Sequence, residues 1–134
     1  MKDADLARLR EVFAGYPEVA GVWLFGSHAQ GTASARSDVD LAIDPAVPSA
    51  RGRKLDLLAD LVHAGFENVD LVVLDRDDPV LRFEAIGPNR LVYAAADYDP
   101  HEAFAQALRR YDDTARLRRI VREAYYEGLE RDDR

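Results

Sequence analysis

The chain of 134 residues has no cysteine, one methionine, one tryptophan and three histidines, His28, His63 and His101. Without cysteine there is no disulfide scaffold, no thiolate metal site and no cysteine nucleophile. Three scattered histidines are too few for a histidine-built metal cluster. No apolar run approaches the roughly 20 residues of a membrane span. The opening Met1-Lys2-Asp3-Ala4-Asp5 lacks the pattern of a secretory signal, so the expected location is the cytoplasm. Positive charge is in deficit as well, with 18 Lys and Arg against 25 Asp and Glu and a net charge of −7. That balance disfavours direct binding to a nucleic-acid backbone, which needs a basic surface.

What remains is an apolar fraction of 48% and a charged fraction of 32%, the composition of a soluble globular domain. The length suits one domain over 1–134, large enough to bury a core without a structural metal. The charge is divided. Residues 100–134 hold eight basic and eight acidic side chains, so residues 1–99 hold 10 and 17 and carry the whole excess.

Hydrophobic periodicity predicts mixed elements. Asp3 or Asp5 caps a first helix whose Leu6, Leu9, Val12 and Phe13 share a face, and Gly15-Tyr16-Pro17 ends it. Val19–Phe25 reads as a buried strand, residues 26–37 as a small polar loop, and residues 38–43 as a second strand stopped by Asp44-Pro45. Residues 51–64 form a helix with Leu55, Leu58 and Val62 inward and Gly65 just past its end. Residues 69–74 form a third strand, residues 79–86 a short helix and residues 90–94 a fourth strand. Pro100 opens a long helix over about 100–128, capped by Asp99. Its stripe comprises Phe104, Ala107, Leu108, Tyr111, Leu117, Ile120, Val121 and Ala124. The fold class is α/β (α+β), with a small mixed sheet flanked by helices.

The segment 26–43, GSHAQGTASARSDVDLAI, carries the chemistry. Successive strand side chains point to opposite faces, so Asp38 and Asp40 share a face about 7 Å apart. Two such carboxylates repel each other, and a divalent cation removes the conflict. A ligand set of oxygen alone selects magnesium or manganese over zinc. Two such ions can clamp a nucleoside triphosphate and bring a nucleophile to its α-phosphorus. Gly26 lets the backbone approach a phosphate, and Ser27 with the amides after it can donate to phosphate oxygens. Asp70 opens the next strand; beside the second strand it completes the cage or accepts a proton from an attacking hydroxyl. Four fixed residues at this spacing arise by chance in on the order of one in a thousand chains of this length.

Other charged groups have plainer readings. His28 is read as a surface loop residue, while Arg36 lies near enough to pair with a carboxylate or touch phosphate. Arg51, Arg53 and Lys54 are read as solvated, Asp75, Asp77 and Asp78 as a turn before Pro79, and Arg116, Arg118, Arg119 and Arg122 as a solvated face. Tyr125 and Tyr126 read as packing or partner contacts.

This segment resembles the GSx10DxD motif of the DNA polymerase β-like nucleotidyltransferases, and the short length resembles their minimal (MNT) members, the antitoxins of HEPN/MNT toxin–antitoxin pairs. The match covers residues 19–43, extends through 69–75, and is one of general pattern over 90–113. The resemblance implies the polymerase β-like fold, with Gly26 and Ser27 holding the triphosphate and Asp38, Asp40 and Asp70 as catalytic metal ligands for two Mg2+ ions. It implies transfer of AMP from ATP to a tyrosine hydroxyl of a HEPN ribonuclease toxin within a hetero-oligomer. His28 departs from the arginine found after the serine in many relatives. The rival readings are a non-catalytic antitoxin that acts by binding alone, a small-molecule nucleotidyltransferase of the aminoglycoside type, and nucleotide addition to RNA.

Overall fold

The computed structural model describes residues 1–26 and 38–132, the side chain of Asp132 excepted. Ser27, His28 and Arg36 lie outside the described residues.

The elements follow in the order α1 (Asp3–Ala14), β1 (Val19–Phe25), β2 (Val39–Pro45), a 3-10 turn (Pro48–Arg53), α2 (Lys54–His63), β3 (Val69–Val73), α3 (Pro79–Ile86), β4 (Leu91–Ala94) and α4 (Pro100–Asp132). The four described strands form one mixed sheet in the order β3-β2-β1-β4. β1 pairs antiparallel with β2 and β4, while β2 and β3 run parallel. The β2–β3 crossover passes through the 3-10 turn and α2, as a parallel pair requires a long connection.

Strand alternation divides the core into two layers. Val22 and Leu24 of β1, Leu41 and Ile43 of β2 and Leu71 of β3 face Leu9 and Phe13 of α1 and Leu57 and Leu61 of α2. On the other face Trp23, Ala42 and Leu74 meet Ala85 and Ile86 of α3 and Ala103 and Ala107 of α4. A register shift between Val19 and Gly21 lets Val19 join the first layer although its spacing from Val22 is odd.

Three local expectations change. Lys2, rather than Asp3 or Asp5, caps α1; Asp5 sits one turn in and accepts the Lys2 backbone N–H at 3.1 Å. In α2 the buried pair is Leu57 and Leu61, with Leu58 half-buried, whereas Leu55 and Val62 are 79% and 53% exposed. With leucines at 55, 57, 58 and 61, two overlapping stripes have helical spacing. The 3-10 turn, at three residues per turn, sets the phase that selects one of them. Asp44 does not stop its strand but lies within β2, which continues to Pro45.

Asp44 instead anchors α3 and the start of α4 to the sheet. The guanidinium of Arg82, a residue 5% exposed, donates to both Asp44 carboxylate oxygens at 3.2 and 3.1 Å. The Tyr98 hydroxyl donates to Asp44 Oδ2 at 2.7 Å and accepts from Trp23 Nε1 at 3.0 Å. Gly21, the β1 partner of Asp44, makes room for this ring: a Cβ there would lie 2.4 Å from Tyr98 Cε2. The cap of α4 is as expected, with Asp99 Oδ1 accepting from His101 and Glu102 backbone N–H at 3.0 and 3.2 Å.

Candidate functional site

Two of the sequence-predicted acids, Asp40 and Asp70, come together through strand order. β2 lies between β1 and β3; Asp40 is its second residue and Asp38 immediately precedes it. Asp40 is the Cα partner of Asp70 across the parallel β2–β3 pair. Laterally paired residues project to the same face, from strands about 4.8 Å apart. Asp40 and Asp70 therefore occupy the face that carries Ala42 and Leu74, at the edge where β2 and β3 begin. Asp38 stands just ahead of β2, two residues before Asp40.

Gly26 closes the arrangement from the other side. Phe25, the last residue of β1, is the antiparallel partner of Asp40, so Gly26 emerges beside the Asp40 carboxylate. Its φ of +71° is the left-handed conformation in which L side chains are strained. A Cβ at this position would lie 2.2 Å from Asp40 Oδ2. Both the conformation and the space demand glycine. A cleft lined by Phe25, Gly26, Phe83, Glu84, Gly87 and Pro88 opens next to it. Sequence reading missed this cleft, because it needs β1 and α3 side by side.

Asp38 and Asp70 are exposed and Asp40 is half-buried, so an ion and its phosphate ligands could reach the acids from solvent. In donor type the set fits a hard divalent cation: carboxylate oxygens only, beside a backbone position that admits no side chain. Among the described residues no three acidic or histidine side chains are gathered closely enough to hold one ion. The backbone thus supplies the common face and edge, and side-chain rotation would have to close the carboxylates around a charge.

Among the described residues, Arg51, Arg53, Asp75 and Asp78 lie away from this edge. Arg51 and Asp75 pair at 3.3 Å beside a second cleft at the opposite end of β2 and β3, lined by Pro45, Val47, Val73 and Leu74 among others. Arg53 lies over the Tyr16 ring at 4.9 Å and between Glu18 and Asp56, at 3.7 and 3.5 Å. Asp75 accepts from the Asp77 backbone N–H, and Asp78 caps α3 through the Leu81 N–H at 3.1 Å. These aspartates serve the turn, as their sequence suggests.

Residues 7–98 match the family described as Polymerase beta, Nucleotidyltransferase, a span that contains β1, both strands with the acids, and Gly26. The chain belongs to this nucleotidyltransferase family. It is an enzyme domain with the polymerase β-like fold, here with a long C-terminal helix. Solved structures of the same fold include a toxin–antitoxin with AMP-PNP, at 22% identity and a TM-score of 0.72 over 88% of this chain and 95% of that one. A tri-AMPylated Shewanella oneidensis HEPN toxin in complex with MNT antitoxin matches at 18% identity and a TM-score of 0.69, covering 92% and 97%. The toxin–antitoxin MntA-HepT matches at 18% identity and 0.68, covering 91% and 97%. No curated protein matches this nucleotidyltransferase at a significant level. No helix among the described residues is long and apolar enough to cross a membrane.

Proposed function

We propose that this nucleotidyltransferase is a single-domain antitoxin that transfers AMP from ATP to a tyrosine hydroxyl of a HEPN ribonuclease toxin in the cytoplasm. The observation that carries the reading is the Asp40–Asp70 register, with Gly26 against Asp40 and Asp38 just ahead of the same strand. In this reading the Gly26-Ser27 backbone and hydroxyl hold the β- and γ-phosphates, and the cleft beside Gly26 receives the rest of the nucleotide. Asp38, Asp40 and Asp70 would hold two Mg2+ ions, which neutralise the phosphates and polarise the α-phosphorus.

The tyrosine oxygen attacks the α-phosphorus. The bond from that phosphorus to the α,β-bridging oxygen breaks, and pyrophosphate leaves with the electron pair. Asp70, exposed at the edge of the site, takes the phenolic proton. Two structural relatives support this reading: one is a toxin–antitoxin with AMP-PNP, another contains a tri-AMPylated toxin.

The test is incubation with α-labelled ATP, Mg2+ and the product of the adjacent gene. Label is expected on the partner's tyrosine and absent with the Asp38→Ala, Asp40→Ala double variant. Equal labelling by that variant overturns the site. Protection of cells by the variant would instead favour neutralisation through binding alone, and label on an aminoglycoside would favour small-molecule transfer.

A further inference from the structure

The second half of α4 leaves the body of the protein. Up to Tyr111 the helix packs on α3: Ala103 and Ala107 are buried, and the Tyr111 ring stacks on Phe83 with centroids 3.9 Å apart. From Arg116 to Arg131 every residue except Gly128 is exposed. This segment is about 24 Å long at 1.5 Å per residue. Its exposed side chains include Leu117, Ile120, Val121 and Tyr125, each about three-fifths accessible at 60, 60, 59 and 64%. At 3.6 residues per turn these four fall on one face with Ala124 and Gly128. That is a continuous apolar stripe with nothing of this chain against it among the described residues.

Charge along the same segment is segregated. Arg116, Arg118, Arg119 and Arg122 fill its first half, without an acid between them. Glu123, Glu127 and Glu130 follow in the second half, before Arg131. A helix with this gradient complements itself when inverted. A partner of different sequence would have to match both the stripe and the gradient, whereas a second copy supplies both by symmetry.

We propose that the distal half of α4 docks against the same segment of a second copy of this chain, antiparallel, about a two-fold axis near Val121 and Ala124. In that arrangement Leu117 of one copy lies beside Gly128 and Leu129 of the other, and Val121 beside Ala124 and Tyr125. Ala124 and Gly128 let the backbones approach closely. The arginine half of each helix runs along the glutamate half of its mate. Arg116, which pairs with Asp112 at 2.9 Å on its own helix, flanks the same edge of the stripe as Glu127, so across the seam it exchanges that exposed partner for Glu127 or is shared between the two. Each contact occurs twice, as in any isologous interface. A parallel pairing would set arginine against arginine and align the helix dipoles unfavourably.

Sedimentation equilibrium of the full chain, from micromolar to hundreds of micromolar, tests this pairing. A monomer–dimer equilibrium is expected. Leu117→Glu with Val121→Glu should weaken it at least tenfold, an effect of about 1.4 kcal/mol or more. Arg116→Glu alone should weaken it, and Arg116→Glu with Glu127→Arg should restore it, since the inverted pair again meets its complement. Circular dichroism identifies a variant that fails to fold, and the restored double variant then decides. A wild-type chain that stays monomeric throughout overturns the proposal, as does a dimer indifferent to the Leu117 and Val121 changes. Loss of a co-purifying toxin from those same variants, with no self-association in the wild type, would assign the face to that partner and likewise overturn self-pairing.

Discussion

Arg82 forks onto Asp44, its two terminal nitrogens 3.2 and 3.1 Å from the two carboxylate oxygens, with side chains 7% and 13% exposed. The contact ties α3 to the far end of β2, four residues after Asp40 and on the same face of the strand. One strand thus carries the candidate metal ligands at its start and a buried ion pair at its end.

Removal of the arginine alone should be severe. Arg82→Leu leaves the Asp44 carboxylate buried with only the Tyr98 hydroxyl donating to it. Breaking a buried pair on one side costs about 3–5 kcal/mol. A urea midpoint lowered to match is expected, with a smaller loss for Arg82→Leu combined with Asp44→Asn. Equal losses for the single and double variants would show that the packing of the Arg82 stem, rather than the stranded charge, sets the stability.

Tyr98 should report the same anchor from the β1 side. Gly21→Ala places a Cβ 2.4 Å from its ring, which two hydrogen bonds hold in place. Overpacking of this kind costs about 1–3 kcal/mol. Tryptophan fluorescence should shift as well, because Trp23 Nε1 loses its acceptor when the ring moves. Unchanged emission from Gly21→Ala would mean that the ring has another way to yield.

Alkaline pH should loosen the contact between α1 and α2. Burial, with the Asp60 carboxylate accepting the hydroxyl proton, pushes the Tyr16 pKa up from 10.0 to about 12. Above pH 10 the unfolded chain releases this proton before the folded one does. Stability from this group is therefore complete below pH 10 and is lost as pH rises through about 12. Thermal melts between pH 9 and pH 12 should show that fall, and Tyr16→Phe should flatten it.

The elements and the site were legible to different degrees, for physical reasons. Strand runs such as Val19–Phe25 and the spacing of Gly26, Asp38 and Asp40 are local, so the sequence displays them directly. That Asp70 stands beside Asp40 depends on β3 pairing with β2, a relation between distant segments that strand patterns suggest without fixing. Asp44 reads as a strand stop because its partners, Arg82 and Tyr98, lie 38 and 54 residues away. The long stripe of α4 reads as core, yet periodicity reports only that residues share a face. Burial of Ala107 and exposure of Leu117 are decided by where α3 ends.

Gly26→Ala should separate the fold from the reaction. The left-handed backbone costs an alanine about 1–2 kcal/mol, which a domain of this size tolerates. The added methyl, 2.2 Å from Asp40 Oδ2, forces that carboxylate to turn away. A displacement near 1 Å in a catalytic group lowers rate by about a hundredfold. Labelling of the toxin should fall by that order while the melting curve moves only modestly.

Asp70→Asn poses the opposite trade. Like charges directly opposite each other on neighbouring strands are destabilising, and cross-strand pairs of this kind are worth about 0.2–1 kcal/mol. Without a divalent ion, the asparagine variant should therefore be as stable as the wild type or slightly more so. Excess Mg2+ should raise the wild-type melting temperature by mass action and that of Asp70→Asn by less. Loss of a general base lowers rate about 10²–10⁴-fold, so AMP transfer should nearly vanish in the same variant. A variant that keeps its Mg2+-dependent stabilisation but loses transfer would place Asp70 with the proton rather than the metal. One that keeps transfer would remove it from the site altogether.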